Sequence, residues 1–324
     1  LTFCVLMDID EKIRLIKRNT EEIVGEDKIK KFSEKGVVYC GYEVSGEIHL
    51  GHLVTILKLL DLQKAGIKVK ILLADWHTWL NQKGNWKFVD EQMKQWEKGF
   101  KSVGLEAEIV KGTSYELKKD YFEDLLKLAL KITVNRGVRA MQQVARDIEN
   151  AKISQMIYPL MQIADVKYLG TNFVVAGIDQ RKIYMLGVDE GKEIGLQEAI
   201  YLYTPIIPSL RGAEGKMSSS VKESFISIRD SKESIKEKIS RAYCKQGETK
   251  NNPIMAIARL IIFPMFDAIV IRGDKDHGEE ERIFKSYHEL EDAFERGHLH
   301  PLNLKNAVAE YLETVIAPIR KAWK

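Results

Sequence analysis

Residues 36–75 constrain the fold more than any other stretch. Residues 36–44 (GVVYCGYEV) are rich in β-formers and stop at the turn pair Ser45-Gly46. An apolar helical pattern follows at once. Leu50, Leu53, Ile56, Leu57, Leu60 and Leu62 recur mostly every three or four residues, and Gly66 is a natural C-terminal stop. Residues 69–75 (VKILLAD) then supply a short apolar run of the kind buried inside a parallel sheet. A strand, a helix and a strand joined this way make a parallel crossover unit. The pattern continues with a helix expected over 86–103 and strands over 107–112, 173–177 and 200–207. The expectation is an α/β fold built on a doubly wound parallel sheet. Residues 115–160 carry helical patterns without strand signals and read as a helical insertion.

Near residue 230 the alternation ends. Residues 230–233 (DSKE) resemble a capping box opening a helix to about residue 243. A final helix places Val308, Tyr311, Leu312, Val315, Ile316 and Ile319 on one face. The chain therefore divides into an α/β domain, 1–228, and a mostly helical domain, 229–324. Its 324 residues suffice for two cores. Lys plus Arg is 50 against 47 for Asp plus Glu, a net charge of +3 that excludes a polybasic tail but leaves room for a local basic stripe. Cys4, Cys40 and Cys244 are far apart, which excludes a disulfide scaffold and a cysteine zinc site and suits a reducing cytoplasm. No apolar run approaches the ~18 residues of a membrane span. Met7-Asp8-Ile9-Asp10 reads like an ordinary start, so residues 1–6 are expected to be extraneous.

Two short motifs carry chemistry. Residues 45–52 (SGEIHLGH) lie where the first strand turns into the first helix, at the sheet edge where doubly wound folds bind ligands. A helix N-terminus there attracts phosphate. His49 and His52, three residues apart, share one face and can donate hydrogen bonds to a phosphoryl group, while Gly51 lets a flat ring approach the backbone. Two histidines on a partly exposed helix start would look the same in isolation. Residues 215–220 (GKMSSS) change the balance, because Lys216 among small polar residues is a cation able to close over a triphosphate.

HLGH followed by KMSSS resembles the paired signatures of class I aminoacyl-tRNA synthetases. Residues 39–52 (YCGYEVSGEIHLGH), 72–84 (LLADWHTWLNQKG), 157–170 (IYPLMQIADVKYLG), 176–183 (AGIDQRKI), 252–258 (NPIMAIA) and 299–312 (LHPLNLKNAVAEYL) resemble the archaeal-type tyrosyl branch. The resemblance implies a Rossmann-type catalytic domain over 1–228, with a helical insertion at about 115–160 and a KMSSS loop at 216–220. It also implies a helical anticodon-binding domain over 229–324, a homodimer and a cytoplasmic location. The implied reaction activates L-tyrosine with ATP and Mg²⁺, releases pyrophosphate and transfers the tyrosyl group to the 3′ end of tRNA(Tyr), with no structural metal in the protein.

By that resemblance His49, His52 and Lys216 are catalytic, and Gly46, Gly51, Ser218 and Ser219 join them in binding ATP. Tyr39 and Asp165 would bind the substrate phenol, and Tyr158, Gln162 and Gln180 its ammonium group. Arg139, Arg181 and Lys182 match acceptor-stem positions, and His277, His300, Pro301 and Asn303 match anticodon positions. The sequence departs from the pattern in four places. Val44 replaces a usual Pro, which should loosen the turn. Glu116 replaces a common Gln, which would weaken phenol recognition unless its carboxylate points away. Asn303 replaces Asp, which should relax discrimination for guanine, and residues 171–176 (TNFVVA) replace a more regular stretch. Tryptophanyl-tRNA synthetases share both signatures, but Tyr39 and Asp165 favour tyrosine. An inactive RNA-binding paralogue is disfavoured by the intact motifs, and a small-molecule nucleotidyltransferase leaves residues 299–312 unexplained.

Overall fold

The computed structural model describes residues 7–144, 150, 152–212, 215–218, 221–273 and 281–323. The chain forms two compact units, one from residues 1–45, 55–97 and 105–205, the other from 46–54, 98–104 and 206–324. Among the described residues no helix is long and apolar enough to cross a membrane.

The first unit is organised by a six-stranded sheet. Its strands are β1 (Glu22–Val24), β2 (Val37–Tyr42), β3 (Lys68–Leu73), β4 (Glu108–Lys111), β5 (Phe173–Gly177) and β6 (Ile200–Thr204), in the order β1-β6-β5-β2-β3-β4. Every pair is parallel except β1 with β6. The chain moves from β2 to β3 on one side and returns as β5 on the other. Between β2 and β5 lies the switch point at which such sheets bind ligands. All five residues of β6 are buried, as expected of a strand covered on both faces.

Helices α1 (Ile9–Lys17), α2 (Ile29–Phe32), α3 (Leu50–Lys64), α4 (Asp75–Leu80) and α5 (Trp86–Val103) come before β4. Helices α6 (Lys119–Ala129), α7 (Val134–Met141) and α8 (Ile153–Tyr168) lie in the expected helical stretch, α8 running past its expected end near 160 to Tyr168, and α9 (Arg181–Glu190) follows β5. On α5, Val89, Met93, Trp96 and Phe100 form a buried stripe at four- and three-residue steps. Helix α3 departs from the expected single stripe. Leu57 and Leu60 are only half-buried, whereas Lys58 and Asp61 are buried with Val54, Leu59 and Leu62. The reason lies in α1. The Lys58 ammonium donates to the carbonyls of Leu15 (3.3 Å), Ile16 and Arg18 (2.7 Å), satisfying the open C-terminal end of α1. Asp61 accepts from the Arg18 guanidinium at 2.9 Å. Residue 75 also reads differently, because β3 ends at Leu73 and Asp75 opens α4.

The second unit carries α10 (Lys232–Arg241), α11 (Pro253–Ile257), β7 (Ile269–Ile271), β8 (Arg282–Phe284), α12 (Tyr287–Glu295) and α13 (Pro301–Ala322). Ser231, not Asp230, caps α10 by accepting from the Ser234 amide at 3.2 Å. Asp230 instead accepts from the Ser227 amide (2.9 Å) and from Lys238 (2.6 Å). Among its described residues this unit is mostly helical, and β7 and β8 pair as an antiparallel two-stranded sheet. The Tyr311 hydroxyl on α13 accepts the Val270 amide of β7 at 2.8 Å. Leu304, Val308, Leu312, Val315, Ile316 and Ile319 make the buried face of α13, which packs on α10.

Candidate active site

The first unit gathers the residues expected to hold an amino acid. Tyr39 lies on β2, one strand of the switch point, and Gln180 lies just past the C-terminal end of β5, the other. Tyr158, Gln162 and Asp165 are spaced i, i+4, i+7 on α8, which places them on one face. The structure brings the five together. The Tyr39 hydroxyl donates to the Gln162 carbonyl at 3.5 Å, the Gln162 amide donates to Gln180 Oε1 at 3.4 Å, and the Gln180 amide donates to Asp179 at 3.2 Å. These amide oxygens and Asp179 are acceptors suited to an ammonium group.

The other end of this cluster contains residues that motif reading missed. Asp165 Oδ1 accepts from two internal hydroxyls, Tyr115 and Tyr121, each at 2.8 Å. The Tyr39 hydroxyl shares a hydrogen bond with Tyr184 at 2.8 Å. His77 of α4 presents Nε2 at 3.5 Å from Asp165 Oδ2 and Nδ1 at 3.6 Å from Glu116 Oε1. Its ring meets that of Tyr158 edge-on at 4.7 Å. Glu116 therefore does not point away, and it is only 1% exposed. Burial pushes the Asp165 carboxyl up to about 7 against the pull of its two tyrosine donors. Burial likewise pushes the His77 imidazole down to about 3, so it is neutral. The signal for His77 was in the sequence. It sits two residues into the helix that follows β3, on the ligand-binding edge of the sheet.

The second unit gathers the residues expected to meet phosphates. His49 immediately precedes α3, and a bridge between His49 and Ser227 pins it to the segment after the Lys216 loop. The Leu50 amide donates to the Ile226 carbonyl (3.0 Å) and the Ile228 amide to that of Ile48 (3.1 Å). The His49 and His52 rings stack with centroids 3.8 Å apart. Each Nδ1 accepts a backbone amide, His49 from Gly51 (3.1 Å) and His52 from His49 (3.3 Å). Neutral imidazole carries one proton, so both rings keep Nε2–H as a donor. Burial, the other ring and Lys216 hold His49 well below the usual histidine range. Burial and then Lys216 bring His52 down to about 3. Gly51 is required here, since a Cβ would come within 2.9 Å of the His49 ring.

Lys216 is exposed, and the buried Met217 beside it anchors the loop, its backbone amide donating a hydrogen bond to the Ile207 carbonyl at 3.1 Å. The Ser218 carbonyl accepts from the Ser224 hydroxyl at 2.9 Å. Gly46 is half-buried in the turn before α3. Ser219 lies outside the described residues.

Residues 30–317 match the family model of class I tRNA synthetases for tryptophan and tyrosine. The tyrosine–tRNA ligase of Archaeoglobus fulgidus is 44% identical over 321 residues, covering 97% of this chain and 98% of the relative. The chain belongs to the archaeal-type tyrosyl-tRNA synthetases. The Methanocaldococcus jannaschii tyrosine–tRNA ligase is 42% identical over 313 residues, covering 96% of this chain and 99% of that protein. The crystal structure of the Archaeoglobus fulgidus tyrosyl-tRNA synthetase with L-tyrosine superposes with a TM-score of 0.91, covering 98% of this chain and all of that one. The Pyrococcus horikoshii enzyme, also solved with L-tyrosine, is 30% identical with a TM-score of 0.86, covering 97% of this chain and 96% of that one. Membership of the tyrosyl-tRNA synthetases makes the chain an ATP-dependent tyrosine–tRNA ligase.

Within this family frame the expected tRNA positions have distinct surroundings. Arg139 is exposed on α7 with Nε donating to the Asn135 carbonyl at 3.2 Å. Arg181 is paired with Glu22 at 2.6 Å, and Lys182 donates to Gln142 at 3.3 Å. His300 caps α13, accepting the Leu302 amide at 3.3 Å, and Pro301 occupies the first helical position, where its missing N–H costs nothing. Asn303 is buried in that first turn, while Leu302 is exposed. His277 lies outside the described residues. Val44 does not loosen its turn: its buried amide donates to Thr78 Oγ1 at 3.0 Å, a bond that proline cannot make.

Proposed function

We propose that this chain performs two-step tyrosylation with the residues described above in the following roles. The substrate phenol donates to Asp165 and accepts from the Tyr39 hydroxyl. The substrate ammonium is held by Tyr158, Gln162 and Gln180, which leaves its carboxylate free as the nucleophile. MgATP enters as the second substrate, its phosphates taking hydrogen bonds from the Nε2–H groups of His49 and His52 and from the N-terminus of α3. Gly46 and Gly51 give the adenosine close access to the backbone. The carboxylate oxygen attacks the α-phosphorus, the bond to the bridging oxygen breaks, and pyrophosphate leaves with its charge met by Lys216, Ser218 and Ser219. The terminal ribose hydroxyl of tRNA(Tyr) then attacks the tyrosyl carbonyl and releases AMP. The protein supplies positioning and charge stabilisation, and no covalent intermediate forms on it.

Neutral histidines suit this task, because they donate hydrogen bonds to the phosphates without forming a salt bridge that would hold pyrophosphate. The observation that carries the assignment to tyrosine is Asp165, a buried carboxylate among aromatic rings whose neighbours are hydroxyl donors. In the bound state the substrate hydroxyl joins or displaces one of them. Arg139, Arg181 and Lys182 serve the acceptor stem, and residues 229–324, with His277, His300, Pro301 and Asn303, serve the anticodon. A cytoplasmic homodimer completes the proposal. ATP–pyrophosphate exchange driven by tyrosine, and charging of tRNA(Tyr), test it. Exchange driven equally by tryptophan, or by no amino acid, would overturn it.

A further inference from the structure

We propose that Glu116 acts as a neutral carboxylic acid that donates its proton to His77 Nδ1, so that His77 Nε2–H is directed at Asp165 and holds it as the single anion reading the substrate phenol. Glu116 and His77 are thus positioning residues, and the inference rests on the tyrosine reading of the pocket given above.

Three carboxyls meet in this space, and their hydrogen bonds are unequal. Asp75 accepts the amides of Trp76 (2.8 Å) and Thr113 (3.1 Å) and the Thr113 hydroxyl (2.8 Å), so its charge is compensated. Asp165 accepts two tyrosine hydroxyls at 2.8 Å. Neither carboxyl oxygen of Glu116 has a hydrogen-bond donor, although both are buried. An ionised carboxylate in that state would carry the full penalty of desolvation. The backbone forces the encounter. The Glu116 amide donates to the Gly112 carbonyl at 2.9 Å, and a Cβ on Gly112 would stand 2.5 Å from both the Asp75 and Glu116 carboxyls. The absence of a side chain on Gly112 leaves the space that the two carboxyls occupy. Glu116 is the carboxyl left without a donor, and it keeps its proton.

His77 supplies the other half of the argument. Both of its nitrogens are buried without a hydrogen-bond partner, one 3.6 Å from Glu116 and the other 3.5 Å from Asp165. Two gaps need two protons, and neutral imidazole brings only one. A protonated Glu116 brings the second. The contacts are longer than hydrogen bonds in the absence of substrate, and such contacts commonly tighten on binding. The titratable groups facing Glu116 are Asp75 and His77 of α4, Tyr115 beside it, Tyr121 of α6 and Asp165 of α8, and none of them is cationic in its neutral-pH form. Burial first, then the charges of Asp165 and Asp75, push the Glu116 carboxyl well above the usual range. As pH rises through that raised value, Glu116 loses its proton. The bond to Nδ1 is then lost, and a second negative charge appears beside Asp165 and the phenol.

The test is the pH profile of the tyrosine KM in ATP–pyrophosphate exchange, for wild type, Glu116→Gln and Glu116→Ala. A neutral glutamine amide donates to Nδ1 as the acid does. The Gln variant should keep the wild-type KM near neutral pH within a factor of about 2 and lack the alkaline rise in KM that wild type shows. The Ala variant should raise KM about 10-fold across the range with kcat little changed. Difference infrared spectra of the unliganded protein should show the carbonyl stretch of a protonated carboxylic acid in wild type and not in Glu116→Gln. Three results would overturn the proposal: the same alkaline limb in wild type and Gln, absence of that infrared band in wild type, or a stoichiometric divalent cation that copurifies with wild type and is lost in the Gln variant. Wild type inactive with tyrosine would instead refute the tyrosine reading, while the infrared band would still decide the protonation of Glu116.

Discussion

The residues proposed to meet the phosphates and those proposed to read the phenol are built in opposite ways. His49, Gly51 and His52 are neighbours in sequence on a single helix end, and local backbone amides fix the two imidazole tautomers. The phenol-facing group draws Tyr39 from β2, His77 from α4, Tyr115 and Glu116 from the loop after β4, Tyr121 from α6, Asp165 from α8 and Tyr184 from α9. There the protonation state of a carboxyl depends on residues from other elements, Asp165 on Tyr115 and Tyr121 and Glu116 on Asp165. A contiguous site presents fixed donors to a ligand that every such enzyme shares. A site assembled from many elements can be tuned residue by residue to one side chain.

That contrast can be broken first at the histidines. Replacing His52 with Ala should lower kcat for adenylate formation by about 10²–10³, the cost of one transition-state donor. The Tyr/Phe discrimination ratio should be unchanged. Steady-state exchange kinetics with both amino acids check this, and a collapse of discrimination would show that the two groups are not independent.

A smaller effect is expected from Tyr115→Phe, which removes one of the two donors to Asp165. A hydrogen bond to a charged group contributes about 1.5 kcal/mol or more, so the tyrosine KM at pH 7 should rise about 10-fold while kcat holds. The sign with pH follows from the same bond. The Tyr115 hydroxyl pulls the Asp165 pKa down from the value that burial would set. Without it the ionised form needs a higher pH, and the acid limb of the KM profile should move up from its wild-type position. An acid limb that stays in place would detach Tyr115 from Asp165.

The smallest effect is expected from Val44→Pro, which deletes the amide donor to Thr78. Stability should fall by about 1 kcal/mol in denaturant titration, with exchange activity close to wild type. Unchanged stability would mean that this bond contributes nothing to the turn.

The same contrast explains what could be read from the sequence. The β2–α3–β3 unit, α5, β5 and α13 each carry a run long enough for its periodicity to speak, and the HLGH and KMSSS motifs are contiguous. The short strands β1, β7 and β8 have three residues each, too few to show alternation. Helix α3 misled because Lys58 and Asp61 look like a solvated face until α1 covers them. Tyr39, Asp165 and the residues proposed to hold the ammonium were singled out through family resemblance. Tyr115, Tyr121 and Tyr184 were not, since each has an ordinary residue type for its own element, and His77 was signalled only by its place just after β3. Only the packing brings the Tyr115 and Tyr121 hydroxyls and the His77 imidazole around Asp165, and the Tyr184 hydroxyl to that of Tyr39.

The most direct test of the whole reading is ATP–pyrophosphate exchange by wild type and Asp165→Ala with tyrosine and with phenylalanine. Wild type should favour tyrosine by about 10⁵, a magnitude already measured for enzymes of this kind, because a site built for a hydroxyl leaves buried groups unpaired when it is missing. Asp165→Ala should lose most of that preference, chiefly through tyrosine. A variant that still prefers tyrosine by nearly the wild-type ratio would contradict the claim that Asp165 reads the phenol.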